Sequence, residues 1–181
     1  MRQFGKRAPA LGCAENFGVK RESEFPRRHR AGLEARADLA VSATEVVGTQ
    51  HPGNIGSAAR AMKTMGLSRL VLVAPERFPH AEALALAAGA DDLLAGAAIH
   101  ATLAEAVADC TLVLGCTARS RRVPLPEQGP REAAGAMLGE ALGGAEVALV
   151  FGRERTGLDT DALQLCHRAV HIPANPGYSS L

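Results

Sequence analysis

The chain is poor in aromatic residues, which make up 3% of its 181 residues, and it has no tryptophan. Its core must therefore be built from Ala, Leu and Val, a set that suits helices laid against a parallel sheet. Four cysteines, Cys13, Cys110, Cys116 and Cys166, lie far apart with no C-x-x-C pair, and no apolar signal region is present. Reduced thiols in a cytoplasm are the expectation. No segment reaches the ~20 apolar residues of a membrane span. His167 and His171 have the spacing of two ligands on a helix, but His171 falls in a stretch that reads as a strand, so no metal site is expected. Nucleotide and hydrolase signatures are missing too. The absence of G-x-G-x-x-G and G-x-x-x-x-G-K-[ST] leaves a dinucleotide fold and a P-loop unsupported, and the absence of G-x-S-x-G does the same for a hydrolase nucleophile.

What is present is enough chain for one domain with a real core, plus a tail. The net charge of +1 hides an asymmetry. Residues 1–40 hold nine Lys and Arg against five acids, and the remaining 141 residues hold eleven against fourteen. Within the mildly acidic body, Arg119, Arg121 and Arg122 crowd one loop, and Arg153 and Arg155 another. Local basic surface of this kind is compatible with a phosphate-bearing partner, although charge clusters are more often solvated faces.

Residues 1–40 sustain neither a 2-residue nor a 3.6-residue period and are expected to be a basic, poorly packed tail; residues 41–181 form the domain. In that domain Glu45 to Thr49 reads as a weak first strand. A helix follows, with Asn54 as N-cap, an apolar stripe of Ile55, Ala58, Ala59, Met62 and Met65, and Gly66 as its C′ residue. Gly53 and Gly56 would leave the helix entrance bare, open to an anion. Strands are expected over Arg69 to Val73, Ala98 to His100, Thr111 to Cys116, Val147 to Phe151 and Ala169 to Ile172. Helices are expected over Ala81 to Ala88, Leu103 to Ala108, Pro130 to Leu142 and Asp161 to Cys166. Alternating strands and helices predict a three-layer, Rossmann-like α/β domain with a mainly parallel sheet.

Three polar, glycine-bearing segments each follow a strand: GNIGSAAR, FGRERTGL and IPANPGYSSL. The second is the most informative, because VALVF ends at Gly152 and the turn to Gly157 presents Arg153, Glu154 and Arg155 at the carboxyl end of a strand, where α/β sheets bind ligands. Together with HPGNIGSAARAMKTMGL and the CTARSR loop, this ordered set resembles the SpoU-type ribose 2′-O-methyltransferases of the SPOUT superfamily, and most of all the bacterial TrmJ-like tRNA enzymes. The resemblance covers roughly Val46 to Leu181.

That resemblance implies S-adenosylmethionine as methyl donor, tRNA as substrate with nucleotide 32 of the anticodon loop as target, a homodimer, and a C-terminal trefoil knot. It places the cofactor against Cys116, Thr117, Ala118, Gly152, Ile172, Ser179, Ser180 and Leu181. Arg60, Glu154 and Ser180 become the catalytic candidates, and Asn54, Arg60, Arg119, Arg121 and Arg153 the RNA contacts. Guanidinium holds its proton too strongly to serve as a base, so Arg60 is expected to clamp a phosphate and stabilise the developing alkoxide. Relatives continue beyond YSSL with a final helix, and the expectation is a domain whose knot is incomplete at Leu181. Binding of RNA without catalysis is the alternative reading of the same residues.

Overall fold

The computed structural model describes residues 41–118 and 124–173, with side chains from Val47 onward. The expected tail, residues 1–40, lies outside the described residues, as do Arg119, Arg121, Arg122, Ser179, Ser180 and Leu181. The elements run β1 (Val41–Val47), α1 (Pro52–Thr64), β2 (Arg69–Val73), α2 (Ala81–Ala87), α3 (Asp91–Ala95), β3 (Ala98–His100) and α4 (Leu103–Ala106). They continue with β4 (Leu112–Thr117), β5 (Glu127–Gln128), α5 (Pro130–Leu142), β6 (Val147–Phe151), α6 (Thr160–Gln164) and β7 (Arg168–His171).

The seven strands form one sheet in the order β3-β2-β1-β6-β4-β7-β5, and every pairing is parallel. Alternation along the strands sorts side chains to two faces. Leu112, Leu114, Cys116 and Val147 point to the layer that holds α5, and Leu70 and Leu72 pack with α1, α2 and α3. Val73, Val113, Ala148 and Val150 point the other way, onto α4 and α6. The expected three-layer α/β architecture is what forms. β1 is the main departure. It begins at Val41 rather than Glu45 and ends before Thr49, pairing with β2 on one side and β6 on the other despite a register irregularity between Ser42 and Glu45. Two strongly apolar neighbours impose the extended state on a stretch whose own propensity is poor. Two short elements, α3 and β5, have too few residues to show a period, and sequence patterning missed them.

The two long helices end as their glycines dictate. Leu67 N–H donates to Met62 C=O and Gly66 N–H to Lys63 C=O, with Gly66 at φ 74°, a Schellman termination of α1. Gly144, at φ 83°, closes α5 the same way.

At the start of α1 the structure corrects two expectations. The N-cap is His51, which caps nothing with its side chain; Pro52 takes the first helical position, and Asn54 sits inside the first turn. Gly53 and Gly56 are buried, and they serve helix packing rather than an open entrance. A Cβ on Gly56 would overlap the Ala83 carbonyl of α2, so this glycine is what allows α1 and α2 to approach so closely.

The sheet order creates a switch point. After β1 the chain moves out toward β2, and after β6 it moves the opposite way toward β7, so the loops leaving two adjacent strands diverge. A crevice opens between such loops at the carboxyl ends of the strands.

Candidate functional site

The crevice is a cleft of about 660 Å³, within the range of roughly 300–1,000 Å³ usual for small-molecule sites. Its walls are mostly apolar. Ala58, Ala61 and Met62 of α1 with Met65 just beyond it form one side, Leu149 and Phe151 of β6 another, and Cys116, Thr117, Ala118 and Ile172 line the ends of β4 and β7. Met65 was expected on the apolar stripe of the helix; it falls instead at the helix C-cap, is 74% exposed and lines the cleft. Asn54, Ser57 and the turn Gly152 to Gly157 supply the polar mouth.

That turn is tightly made. Gly157 N–H donates to Arg153 C=O at 2.8 Å, and Gly157 sits at φ 67°, a conformation glycine adopts without strain. A Cβ at Gly152 would overlap the backbone of Gly157 and Leu158. Both glycines of the motif are therefore required by the backbone.

Glu154 joins this turn to the start of α1. Its carboxylate accepts hydrogen bonds from Gln50 N–H at 3.4 Å, His51 N–H at 3.3 Å and Asn54 Nδ2 at 3.0 Å. The first turn of α1 has no acidic residue and no side-chain cap of its own. Glu154, about a hundred positions along the chain, takes the N–H of the N-cap residue His51, the bond a capping-box glutamate would make, and supplies the negative charge that a helix N-terminus favours. An anion of the protein itself thus stands at this entrance, bonded to main-chain N–H groups that precede the first turn. Only the amino end of the Asn54 amide can donate to a carboxylate, which fixes the amide orientation and leaves Oδ1 as the acceptor Asn54 offers.

Partial burial raises the Glu154 carboxyl and its hydrogen bonds lower it; the bonds win, and its pKa lies below the usual 4.5. A depressed folded-state pKa means that the link between turn and helix stabilises the fold fully above about 4.5 and is lost as pH falls through the lower folded value. Thermal melts from pH 7 to pH 3 should therefore show an acid-side loss of stability in the wild type that is smaller in Glu154→Gln. Parallel curves for the two proteins would show that the carboxylate contributes nothing to that acid loss.

Cys116 plays a different part. Burial, helped by the nearby Cys166, pushes its thiol up to about 12. It stays protonated and serves as wall rather than nucleophile. Cys116 is a free thiol, and Cys166 Sγ donates to Ala162 C=O at 3.4 Å. His171 closes β7 as expected, and the neighbouring His167 accepts the Val113 N–H on Nδ1 at 2.9 Å. Among the described residues no group of three or more His, Cys, Asp or Glu could hold a metal ion. No helix among them is long and apolar enough to cross a membrane.

The candidates from the sequence fall into three sets. Cys116, Thr117, Ala118, Gly152 and Ile172 all line the one cleft, with Asn54, Arg153 and Glu154 at its mouth. Arg60 does not line it; it borders a separate shallow depression with Lys63, Thr64 and the turn between α2 and α3. Ser179, Ser180, Leu181, Arg119 and Arg121 lie outside the described residues. Sequence reasoning also overlooked the main-chain N–H groups of Gln50 and His51, which carry no residue-type signal, and the β6 wall of Leu149 and Phe151.

The cleft suits S-adenosylmethionine on the structure's own terms. Its volume is adequate, its walls are apolar, and Gly152 lets the backbone pass close behind it.

Comparison with known proteins places these features. The sequence matches the SpoU rRNA Methylase family over residues 45–181. It is 55% identical over 136 residues to the tRNA (cytidine/uridine/adenosine-2′-O-)-methyltransferase TrmJ of Pseudomonas aeruginosa, covering 75% of this chain and 53% of that protein. The chain spans about half the length of the curated relatives it matches. Among solved structures, TrmJ from Z. mobilis superposes with a TM-score of 0.74 at 43% identity, over 78% of this chain and 62% of that one. The SpoU methyltransferase AviRb from Streptomyces viridochromogenes, in complex with AdoMet, shares the fold at a TM-score of 0.58 and 18% identity, over 78% of this chain and 52% of that one.

Proposed function

Because the chain belongs to the SpoU rRNA Methylase family, we propose that it transfers a methyl group from S-adenosylmethionine to a ribose 2′-hydroxyl of tRNA. The proposed target is cytidine or uridine 32 of the anticodon loop. The observation that carries this reading is convergence: five residues assigned to the cofactor from separate segments of the sequence line one cleft, and Asn54 and Glu154 stand at its mouth. The names of the 55–57% identical relatives support tRNA and the 2′-hydroxyl. The assignment of nucleotide 32 rests on the sequence resemblance alone.

When bound, S-adenosylmethionine supplies an electrophilic sulfonium methyl. The protein's task is to hold it and to align the hydroxyl. Cys116, Thr117, Ala118 and Ile172 hold the cofactor with Gly152, and the sequence resemblance adds Ser179, Ser180 and Leu181 to that set. Glu154 positions Asn54, whose Oδ1 accepts a hydrogen bond from the ribose. A carboxyl held below its normal range is a weak base at neutral pH, so Glu154 acts through Asn54 and the helix entrance rather than by taking the proton. Arg60 clamps the adjoining phosphate and favours the alkoxide. Arg119, Arg121 and Arg153 are the RNA contacts of this reading, and Ser180 its remaining catalytic candidate.

The working unit in this reading is a cytoplasmic homodimer with a C-terminal trefoil knot. The sheet order is compatible with such threading: β7 lies between β4 and β5, which both precede it in the chain. Calorimetry tests the cofactor assignment. The wild type should bind S-adenosylmethionine one per chain, and Ala118→Leu, which fills the cleft from a half-buried position, should weaken binding at least about 10-fold with the melting temperature unchanged. Equal binding by both proteins would place the cofactor elsewhere.

A further inference from the structure

The turn from Gly152 to Gly157 carries three charges, and two of them touch the rest of the fold. Glu154 caps α1. Arg153 folds back over the end of β1, its guanidinium packed so closely on Gly48 that a Cβ there would overlap it. Arg155 is exposed and lines the cleft, and its side chain, like that of Arg153, has no hydrogen bond or ion pair to any described residue; the close contact with Gly48 belongs to Arg153. Its backbone is nonetheless held firmly, because the Arg153–Gly157 bridge closes the turn on either side of it.

We propose that Arg155 contacts a backbone phosphate of the RNA substrate at the cleft mouth, as a residue that sets substrate affinity rather than turnover. This rests on the methyltransferase reading above and adds a specific RNA contact to it. A guanidinium on a fixed turn presents a preorganised fork of donors suited to phosphate oxygens. Neighbouring anions do not compete for it: Glu154 is bonded to the α1 entrance, and Asp159 caps α6 by accepting from Ala162 N–H at 2.8 Å. Arg60 lies off this cleft, so Arg155 supplies cationic charge at the mouth of its own chain's cleft that Arg60 does not. Arg155 is among the exposed residues that line the cleft, whereas Met62 and Cys116 of its apolar wall are buried, which puts Arg155 where a nucleic-acid backbone would pass.

The test uses the full chain, a tRNA transcript and three proteins: wild type, Arg155→Ala and Arg155→Lys. Fluorescence anisotropy from 50 to 200 mM salt reads RNA affinity, calorimetry reads S-adenosylmethionine affinity, and steady-state methyl transfer reads kcat and KM. Arg155→Ala should raise the Kd and KM for tRNA about 10-fold, reduce the slope of log affinity against log salt by about 1, and leave kcat within about 2-fold. Cofactor affinity should not change, and Arg155→Lys should recover part of the loss. Unchanged RNA affinity and salt slope would overturn the assignment while leaving the methyltransferase reading intact. Weakened cofactor binding in the alanine variant would overturn it in favour of a cofactor contact. RNA binding that depends on Arg155 in a wild type that transfers no methyl would uphold the contact and reject the reaction. A wild type that does not bind tRNA would overturn both.

Discussion

Replacing Glu154 with alanine should lower methyl transfer to tRNA by about 10²-fold or more while costing the fold only modestly. The two effects separate because the carboxylate does two jobs. As a cap it satisfies the Gln50 and His51 N–H groups, which reach water in its absence, and loss of such a cap costs roughly 0.5–2 kcal/mol. As the partner of Asn54 Nδ2 it fixes which end of that amide offers an acceptor. Without it the amide can turn, the ribose loses its guide, and misalignment at a reacting centre is costly out of proportion to its size. Glu154→Gln should fall between wild type and alanine, since its carbonyl oxygen can accept from the main chain while its amino group opposes Asn54 Nδ2. A Glu154→Ala enzyme with near-normal kcat would remove the carboxylate from substrate positioning and leave it a structural cap.

Arg60→Ala is expected to have an effect of similar size by a different route. Removal of a group that stabilises a developing oxyanion typically costs 10²–10³ in kcat, and an effect confined to the transition state lowers kcat and kcat/KM together. Affinity for S-adenosylmethionine should be nearly unchanged, because Arg60 does not line the cleft. Its position on a separate flank of α1 sharpens the experiment. If Arg60 serves the cleft of a second copy in the proposed homodimer, mixing Arg60→Ala with Glu154→Ala should restore activity above that of either variant alone. Normal turnover in Arg60→Ala would take Arg60 out of the mechanism.

What could be read from the sequence follows physical lines. The strands β2, β4 and β6 announce themselves because each is an uninterrupted apolar run bounded by polar residues, and the terminations of α1 and α5 are fixed by Gly66 and Gly144. β1 was misplaced because its stability comes from its neighbours on both sides, which only the tertiary pairing reveals. The motif glycines were visible, but two were misread: Gly53 and Gly56 look alike as a bare helix entrance, and only the contact with α2 shows that they are packing residues. Asn54 was misassigned as a cap because a good capping side chain stands close to the right place. Proline at the first helical position and a distant carboxylate do that work instead. Cys116, Thr117, Ala118, Gly152 and Ile172 line one cleft because parallel strands bring their carboxyl ends together whatever their separation in sequence. Arg60 falls outside this set because α1 turns it to another flank, a matter of helical phase that motif spacing alone did not resolve.

The most direct test of the central claim is nucleoside mass spectrometry on a tRNA incubated with the protein and isotopically labelled S-adenosylmethionine. The predicted result is label on a ribose 2′-oxygen at position 32, dependent on the protein and, at sub-saturating cofactor, strongly reduced by Ala118→Leu. Label on a base, label on no nucleotide at all, or 2′-O-methylation undiminished by filling of the cleft would contradict it.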